Sequence, residues 1–471
     1  MFRRQENTLQ PDATYSADLG ELGYFLDHKG CFRDIEAPEL FYRFHCTNDD
    51  RHNEVRAEAM RVCHRREVSK RLATLGLEKL YLPTLSTSKP DGPHIPILAP
   101  PADVLKTRKR VIVIINDDTY QDLGILAYRE LQREGGVNGG SIINFVKTVD
   151  RHFTVNSDSG LEKKLAEDDD ASDEKNNHVP GMIVLNNGQL LYSHKYNKAM
   201  SIRSWAALPR KSIFHDSIKI HEVENHVEGH MTSKEHIKTV FDSVILNSDF
   251  VSPDAEVYVV AIENGIEKLI NVLHEDFHKF ADRITALAAV QSPVGGHAIT
   301  NPDVKAFLQN RGRNWATSNT GSLAPDQCNA LPVDSASPEP VLDGGFCAMT
   351  PICPAFGGGD TSVGECVFVQ SIVQKAILNF FEEVAQDPKG YCNPSFVIPK
   401  PFPDSDLSPL AAADIIDPKK QALLDAQEEL YRMHTALLNT PKDRPELVQS
   451  LARLQKRIEK KEAEINKLEE A

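Results

Sequence analysis

Three uninterrupted apolar runs frame the chain. Residues 111–115, 257–262 and 284–290 carry almost no polar alternation. That pattern predicts strands buried on both faces, as in a parallel sheet. The second run leads through Glu263, Asn264 and Gly265 into a helical run over 266–282, and the third run follows it. Strand, tight turn, helix and strand make one βαβ unit. Around this unit the pattern predicts further elements. A hairpin is expected over 22–35, with turn chemistry at Asp27, His28, Lys29 and Gly30, and a short strand over 41–44. A helix is expected from Asn53 to about Leu75, with Asp50 or Asn53 as cap. Residues 84–107, rich in Ser, Thr and Pro, read as a linker loop. A helix over 123–133 should end in the glycines 135–140, with a strand over 141–146. Residues 182–192 read as a hairpin or a strand with a tight turn. A helix over 234–247 places Ile237, Val240, Phe241, Val244 and Ile245 on one face. Residues 293–360 look like one long irregular loop, and 361–385 like a long helix. Residues 387–416 read as a Pro-rich linker. Over 417–471, Leu423, Ala426, Leu430, Met433 and Leu437, then Leu447, Leu451, Leu454, Ile458, Ile465 and Leu468, recur at helical spacing, which predicts a helical hairpin or coiled coil. Its arms are short, so self-association and packing back on the domain are both open.

The turn after the central strand carries the candidate chemistry. In α/β-hydrolases it is the nucleophile elbow, written small-x-nucleophile-x-Gly. Here the frame reads Ala261-x-Glu263-x-Gly265, so a glutamate stands in the nucleophile slot. Asn116, Asp117 and Asp118 end the first strand where open α/β sheets place ligands. The fold class expected is therefore α/β: a mostly parallel, α/β-hydrolase-like sheet flanked by helices, with a C-terminal helical hairpin.

Composition then narrows the partners. The 471 residues carry a net charge of −15, which gives no general electrostatic reason to hold nucleic acid. The helix over 56–71 does present Arg56, Arg61, Arg65, Arg66, Lys70 and Arg71. Pairing with neighbouring acids is the plainer reading of that face, and direct nucleic-acid binding is not expected. The eight cysteines form no CxxC pair, and reduced thiols are expected. The amino terminus has no apolar signal region and no stretch is long enough to span a bilayer, so no membrane is expected. An acidic run at 167–174 lies in an insertion over about 157–178 that is expected to be disordered. His226 and His230, four apart, could share a metal only on a helix. The glycines 135–140 lack the GK[ST] of a phosphate loop. No metal and no cofactor is expected.

Three stretches together resemble one family. Gly23, Tyr24 and Gly30, followed by Asn53, Glu54 and Arg56, look like its N-terminal signature. The unit over 257–290, with Gly265, resembles its core. Asn314 and Trp315 with Ser318, then Glu365, resemble its C-terminal half. This is the Argonaute-binding-protein-two domain family of fungi, with relatives at the C-terminus of fungal class II histone deacetylases. The resemblance covers residues 15–386, with interruptions. It implies a hydrolase-like fold and a non-catalytic subunit of an Argonaute-containing complex in small-RNA-directed heterochromatin silencing. The implied partners are an Argonaute and a second silencing subunit; the implied place is the nucleus, with the cytoplasm also open. Several relatives keep Ser in the elbow and His before the final helix. Here those slots read Glu263 and Gly364, and the acid slot reads Gln291. A Ser-His-Asp mechanism needs a hydroxyl and an imidazole, and on this reading both are missing. Two alternatives stand beside the scaffold: an esterase-like hydrolase with an atypical nucleophile, and a histone-deacetylase-associated chromatin adaptor.

Overall fold

The computed structural model describes residues 8–161, 179–317, 324–332, 350–398 and 418–470, apart from the side chains of 155–161 and 470. The centre is a nine-stranded sheet. In chain order its strands are β3 (Glu78–Leu82), β4 (Ile95–Ala99), β5 (Arg110–Ile115), β6 (Gly181–Val184), β9 (Glu256–Ile262), β10 (Ala286–Val290), β11 (Gly312–Ala316), β12 (Cys328–Ala330) and β13 (Ala355–Gly357). In space they run β12-β13-β11-β10-β9-β5-β6-β4-β3. The six strands from β13 to β6 are parallel, and β4, β3 and β12 add antiparallel margins.

The apolar runs build this sheet because successive residues serve opposite layers. Ile112, Ile114, Tyr258 and Val260 face one core, where α1 (Asp50–Thr74), α5 (Ile143–Leu161) and α11 (Ser371–Ala385) pack. Val111, Val113, Val257 and Val259 face the other, under α7 (Ser233–Val240), α8 (Asn264–Glu275) and α10 (Pro302–Arg311). The hairpin of β1 (Tyr24–Leu26) and β2 (Phe32–Asp34) stands apart from the sheet. Asp27 Oδ1 closes its turn by accepting the N–H groups of Lys29 and Cys31, with Gly30 at φ +84°. Asp49 caps α1 by accepting from Arg51 and His52.

Several expectations need correction. Residues 84–107 are not a loop: they contain β4 and the short helix α2 (Ala102–Lys106). The strand was masked by Pro96, which β4 tolerates while pairing with Tyr81. Residues 41–44 supply only one bridge, Phe41 to Arg33. Between 123 and 133 only α3 (Tyr128–Leu131) is helical, because Gly124 turns the chain at φ +78° over Leu72 and Leu98. The glycines then form the single turn α4 (Gly136–Gly139). The strand expected at 141–146 is the start of α5, whose Ile143, Val146, Val149 and Phe153 follow helical spacing. That helix continues through the first residues of the acidic insertion; 162–178 lie outside the described residues. The pairing expected within 182–192 is split. Met182 to Val184 join the large sheet, while β7 (Leu191–Ser193) pairs with β8 (Lys198–Met200). A one-turn helix, α6 (Ile202–Ala206), follows, capped by Ser201.

The helix over 266–282 breaks at Asp276, whose side chain caps α9 (Phe277–Ala281). The long loop at 293–360 is the largest miss. It contains α10, capped by Asn301 with Pro302 in its first turn, and strands β11, β12 and β13. β11 is polar in sequence because Arg313 and Asn314 are buried by specific partners rather than by apolar packing. The Arg313 guanidinium bonds Glu383, Tyr391 and Asn393 and lies 4.3 Å from the Phe380 ring centroid. The last helix of the domain begins at Ser371, after a separate 3₁₀ turn, Gly364–Cys366.

The C-terminal hairpin is present as α12 (Pro418–Asn439) and α13 (Val448–Glu470), joined by a core of Met433, Ala436, Leu454 and Ile458. It packs back on the domain. The His28 N–H donates to Asn439 O, Arg453 pairs with Glu36 at 2.6 Å, and Arg457 pairs with Glu39. Residues 388–393 of the linker are also tied down, by Arg311 to Pro388 O and Lys389 O and by Asn393 to Gln309 O and Gly312 O. Residues 399–417 lie outside the described part. Among the described residues, no helix is long and apolar enough to cross a membrane.

Candidate functional site

Strands β6, β5, β9 and β10 are neighbours and parallel, so their carboxyl ends open on one edge of the sheet. The chain leaves β5 for β6 on one side and later returns to β9 on the other. The gap between β5 and β9 is therefore the topological switch point, where such sheets place their ligand sites.

The elbow forms at this point. Glu263 follows β9 with φ 48° and ψ −122°, a conformation that costs a non-glycine residue about 1–3 kcal/mol. Gly265 lets α8 start directly behind it: a Cβ there would lie 2.7 Å from Ile115 O and 2.9 Å from Asn116 O. Gln291, at the end of β10, is also left-handed, at φ 53°. Its Oε1 accepts from the Thr317 N–H at 2.9 Å. The three positions read as relics of a triad meet here. A Cβ added to Gly364 would lie 2.8 Å from Gln291 Cγ and 3.0 Å from Glu263 Oε1. A side chain at 364 would thus crowd Gln291 and Glu263 from its first carbon.

The pocket is acidic. Burial, then the charges of Asp117 and Glu365, push the Glu263 carboxyl up to about 7. Burial also raises Glu365, against the pull of Arg129 and Arg203. Asp117 is buried behind them; its Oδ2 accepts from the N–H groups of Thr119 and Tyr120. Asn116 and Asn187 lock the ends of β5 and β6 together, with Asn187 N–H to Asn116 Oδ1 at 3.1 Å and Asn187 Nδ2 to Asn116 O at 2.8 Å. The nearby Cys366 thiol is pushed up to about 12 by burial and by Glu130 and Glu365, so it is no thiolate nucleophile at neutral pH.

The remaining sequence candidates lie elsewhere. His226 and His230 do not converge. His226 Nδ1 meets Glu222 O, whereas His230 is buried against His236, Nδ1 to Nδ1 at 2.8 Å. Among the described residues, no three His, Cys, Asp or Glu side chains are grouped to hold a metal ion. The basic face of α1 is largely engaged within the molecule. Arg56 reaches Leu22 O, Tyr24 and Arg43 O; Arg65 spans Glu58 and Asp122; Arg71 holds Glu67 and Asn138.

Most of the sequence signature is structural. Gly23 and Gly30 have positive φ, and Tyr24 anchors Arg56. Buried Asn53 binds both the N–H of Cys46 and Thr47 and the carbonyl of Thr47. Asn314 Oδ1 accepts from Ser292, and the Trp315 indole donates to Pro325 O while stacking on Phe356. Glu54 is exposed, Glu365 belongs to the acidic pocket, and Ser318 lies outside the described residues. Arg129 in α3, Arg203 in α6 and Asn187 after β6 had no sequence signal beyond residue type, because they come from elements far apart in the chain.

Comparison with curated proteins and with solved structures finds no significant match. The family model described as the Arb2 domain matches residues 15–321, a span that holds the hairpin, α1, the elbow and Trp315. With well over half of its length matched, the chain belongs to the Arb2 domain family.

Proposed function

We propose that this chain is a non-catalytic, pseudo-hydrolase scaffold subunit of an Argonaute-containing complex that acts in small-RNA-directed heterochromatin silencing in the nucleus. Membership in the Arb2 domain family supports the partner class. One observation carries the non-catalytic part: the elbow is built, but its nucleophile slot holds Glu263, and at Gly364 even a Cβ would meet Gln291 and Glu263 within 3.0 Å. Acyl transfer through a Ser-His-Asp relay needs a hydroxyl or thiol, and a base within hydrogen-bond reach of it. The elbow slot holds a carboxylate in place of a hydroxyl or thiol, and positions 291 and 364 hold Gln and Gly, so the Ser-His-Asp set is absent from these slots. Fold and function separate readily in this way. On this reading the surfaces carry the function and the elbow is a retained structural joint.

The test is a silencing reporter in cells whose own copy is replaced by Glu263→Gln. Silencing and co-purification with Argonaute at the level of the natural sequence are expected. Loss of silencing by a folded E263Q chain that still enters the complex would favour a chemical role for the carboxylate.

A further inference from the structure

We propose that the acidic face around Glu36 and Glu39 is a docking surface for a helix that carries two arginines one turn apart. In this chain its own α13 occupies the face, and the same kind of helix from a partner protein takes it when the C-terminal hairpin undocks. Glu36 and Glu39 lie in the span matched to the Arb2 domain, whereas the hairpin over 418–470 lies beyond it. The domain thus brings the face, and the C-terminal hairpin brings the cover.

The cover is held largely by charge. The hairpin's apolar core of Met433, Ala436, Leu454 and Ile458 joins neither of the two cores that flank the sheet. Arg453 and Arg457, four apart on α13, project from one face of the helix. Arg453 reaches Glu36 at 2.6 Å, but both side chains are more than half exposed, and such pairs contribute little. Arg457 reaches Glu39, whose side chain is only 5% exposed. The second oxygen of Glu39, Oε2, is buried with no donor among the described residues. Beside it a cavity of about 530 Å³ stays open between hairpin and domain. Glu39, Glu130 and Glu134, with Arg133, line it from the domain, and Glu429, Arg432 and Arg457 line it from the hairpin.

Docking therefore takes Glu39 out of water and returns a single charged partner for its two oxygens. A buried carboxylate in that position depends on its partner, and the exposed pair beside it is screened by salt. The tether helps: residues 399–417 join the hairpin to the domain in one chain, which keeps α13 at a high effective concentration near the face. A partner helix with the same two arginines makes the same contacts, and one that also fills the cavity gains contacts that α13 does not make. Glu36, Glu39, Glu130 and Glu134 against Arg133 set the sign of the ligand, and Phe41 on the cavity wall offers apolar surface to arginine stems.

The experiment is hydrogen exchange of the full chain, read at single residues. The His28 N–H donates to Asn439 O across the contact and reports docking, whereas the Asp27 N–H donates to Cys31 O within its own turn and serves as the control. Raising NaCl from about 50 to about 500 mM should speed exchange at His28 about tenfold and leave Asp27 unchanged. Arg457→Gln should speed it by at least about tenfold at low salt, because docking then buries Glu39 unpaired. Arg457→Lys, which keeps the charge, should stay within about threefold of the natural chain. The hairpin over 418–471, added to R457Q as a separate peptide standing in for the partner helix, should restore slow exchange at His28; the same peptide with Arg453→Gln and Arg457→Gln should not. Exchange at His28 that ignores salt, unchanged exchange in R457Q, or no restoration by the natural peptide would overturn the proposal. Exchange at His28 that slows as the natural chain is concentrated at high salt would assign the face to the hairpin of a second copy, and would overturn it too.

Discussion

Glu263 makes the site's electrostatics measurable as stability. Its folded pKa of about 7 lies above the ordinary 4.5. The folded chain therefore holds this proton where the unfolded chain has released it. Stability from this group is full below pH 4.5, falls between 4.5 and about 7, and stays reduced above 7. At about 1.4 kcal/mol per unit the shift corresponds to about 3 kcal/mol. Solvent screening at a half-buried carboxylate reduces the expected effect to about 2 kcal/mol. Glu263→Gln mimics the protonated form at every pH. It should leave the melting temperature nearly unchanged at pH 4.5 and raise it by several degrees at pH 8.5. Asp117 and Glu365 act in the same direction, since removing the Glu263 charge relieves both. The assay is thermal unfolding of the two chains across that pH range. A melting difference that is the same at both ends, or a destabilised E263Q at pH 8.5, would refute the placement of Glu263 among acids in a desolvated pocket.

Three other substitutions probe how the site is packed. Gly364→His alone should cost about 1–3 kcal/mol in denaturant unfolding, because its Cβ meets Gln291 and Glu263 within 3.0 Å; adding Glu263→Ser and Gln291→Asp should recover much of that loss by shortening both neighbours. Gly265→Ala should destabilise by about 2 kcal/mol, since α8 must retreat from the Ile115 and Asn116 carbonyls; an unchanged midpoint would contradict the close approach. Arg313→Lys should cost about 2 kcal/mol despite conserving charge, because an ammonium cannot keep the bonds to Glu383, Tyr391 and Asn393 while covering Phe380.

The parts of the fold legible in the sequence are those where burial alone selects the residues. Strands β5, β9 and β10 are apolar on both faces and declare themselves. The elbow frame also declared itself, because Gly265 is fixed by a steric contact and Ala261 by a buried strand. Elements stabilised by particular partners did not. β11 hides behind Arg313 and Asn314, whose burial depends on Glu383, Tyr391 and Asn393 some 70–80 positions on. β4 hides behind Pro96 and its flanking polar residues. Glu263, Gln291 and Gly364 were singled out as triad slots by the resemblance. Their steric interlock was not legible, since side-chain volume at one position carries no trace of its neighbours in space.

The scaffold reading is tested most directly by affinity purification of the tagged full-length chain from its own cells, with the co-purifying proteins identified by mass spectrometry. The account predicts recovery of an Argonaute together with a second silencing subunit, and the same set with E263Q. A preparation free of silencing factors, from cells in which the tagged chain is folded and supports growth as the natural one does, would contradict it.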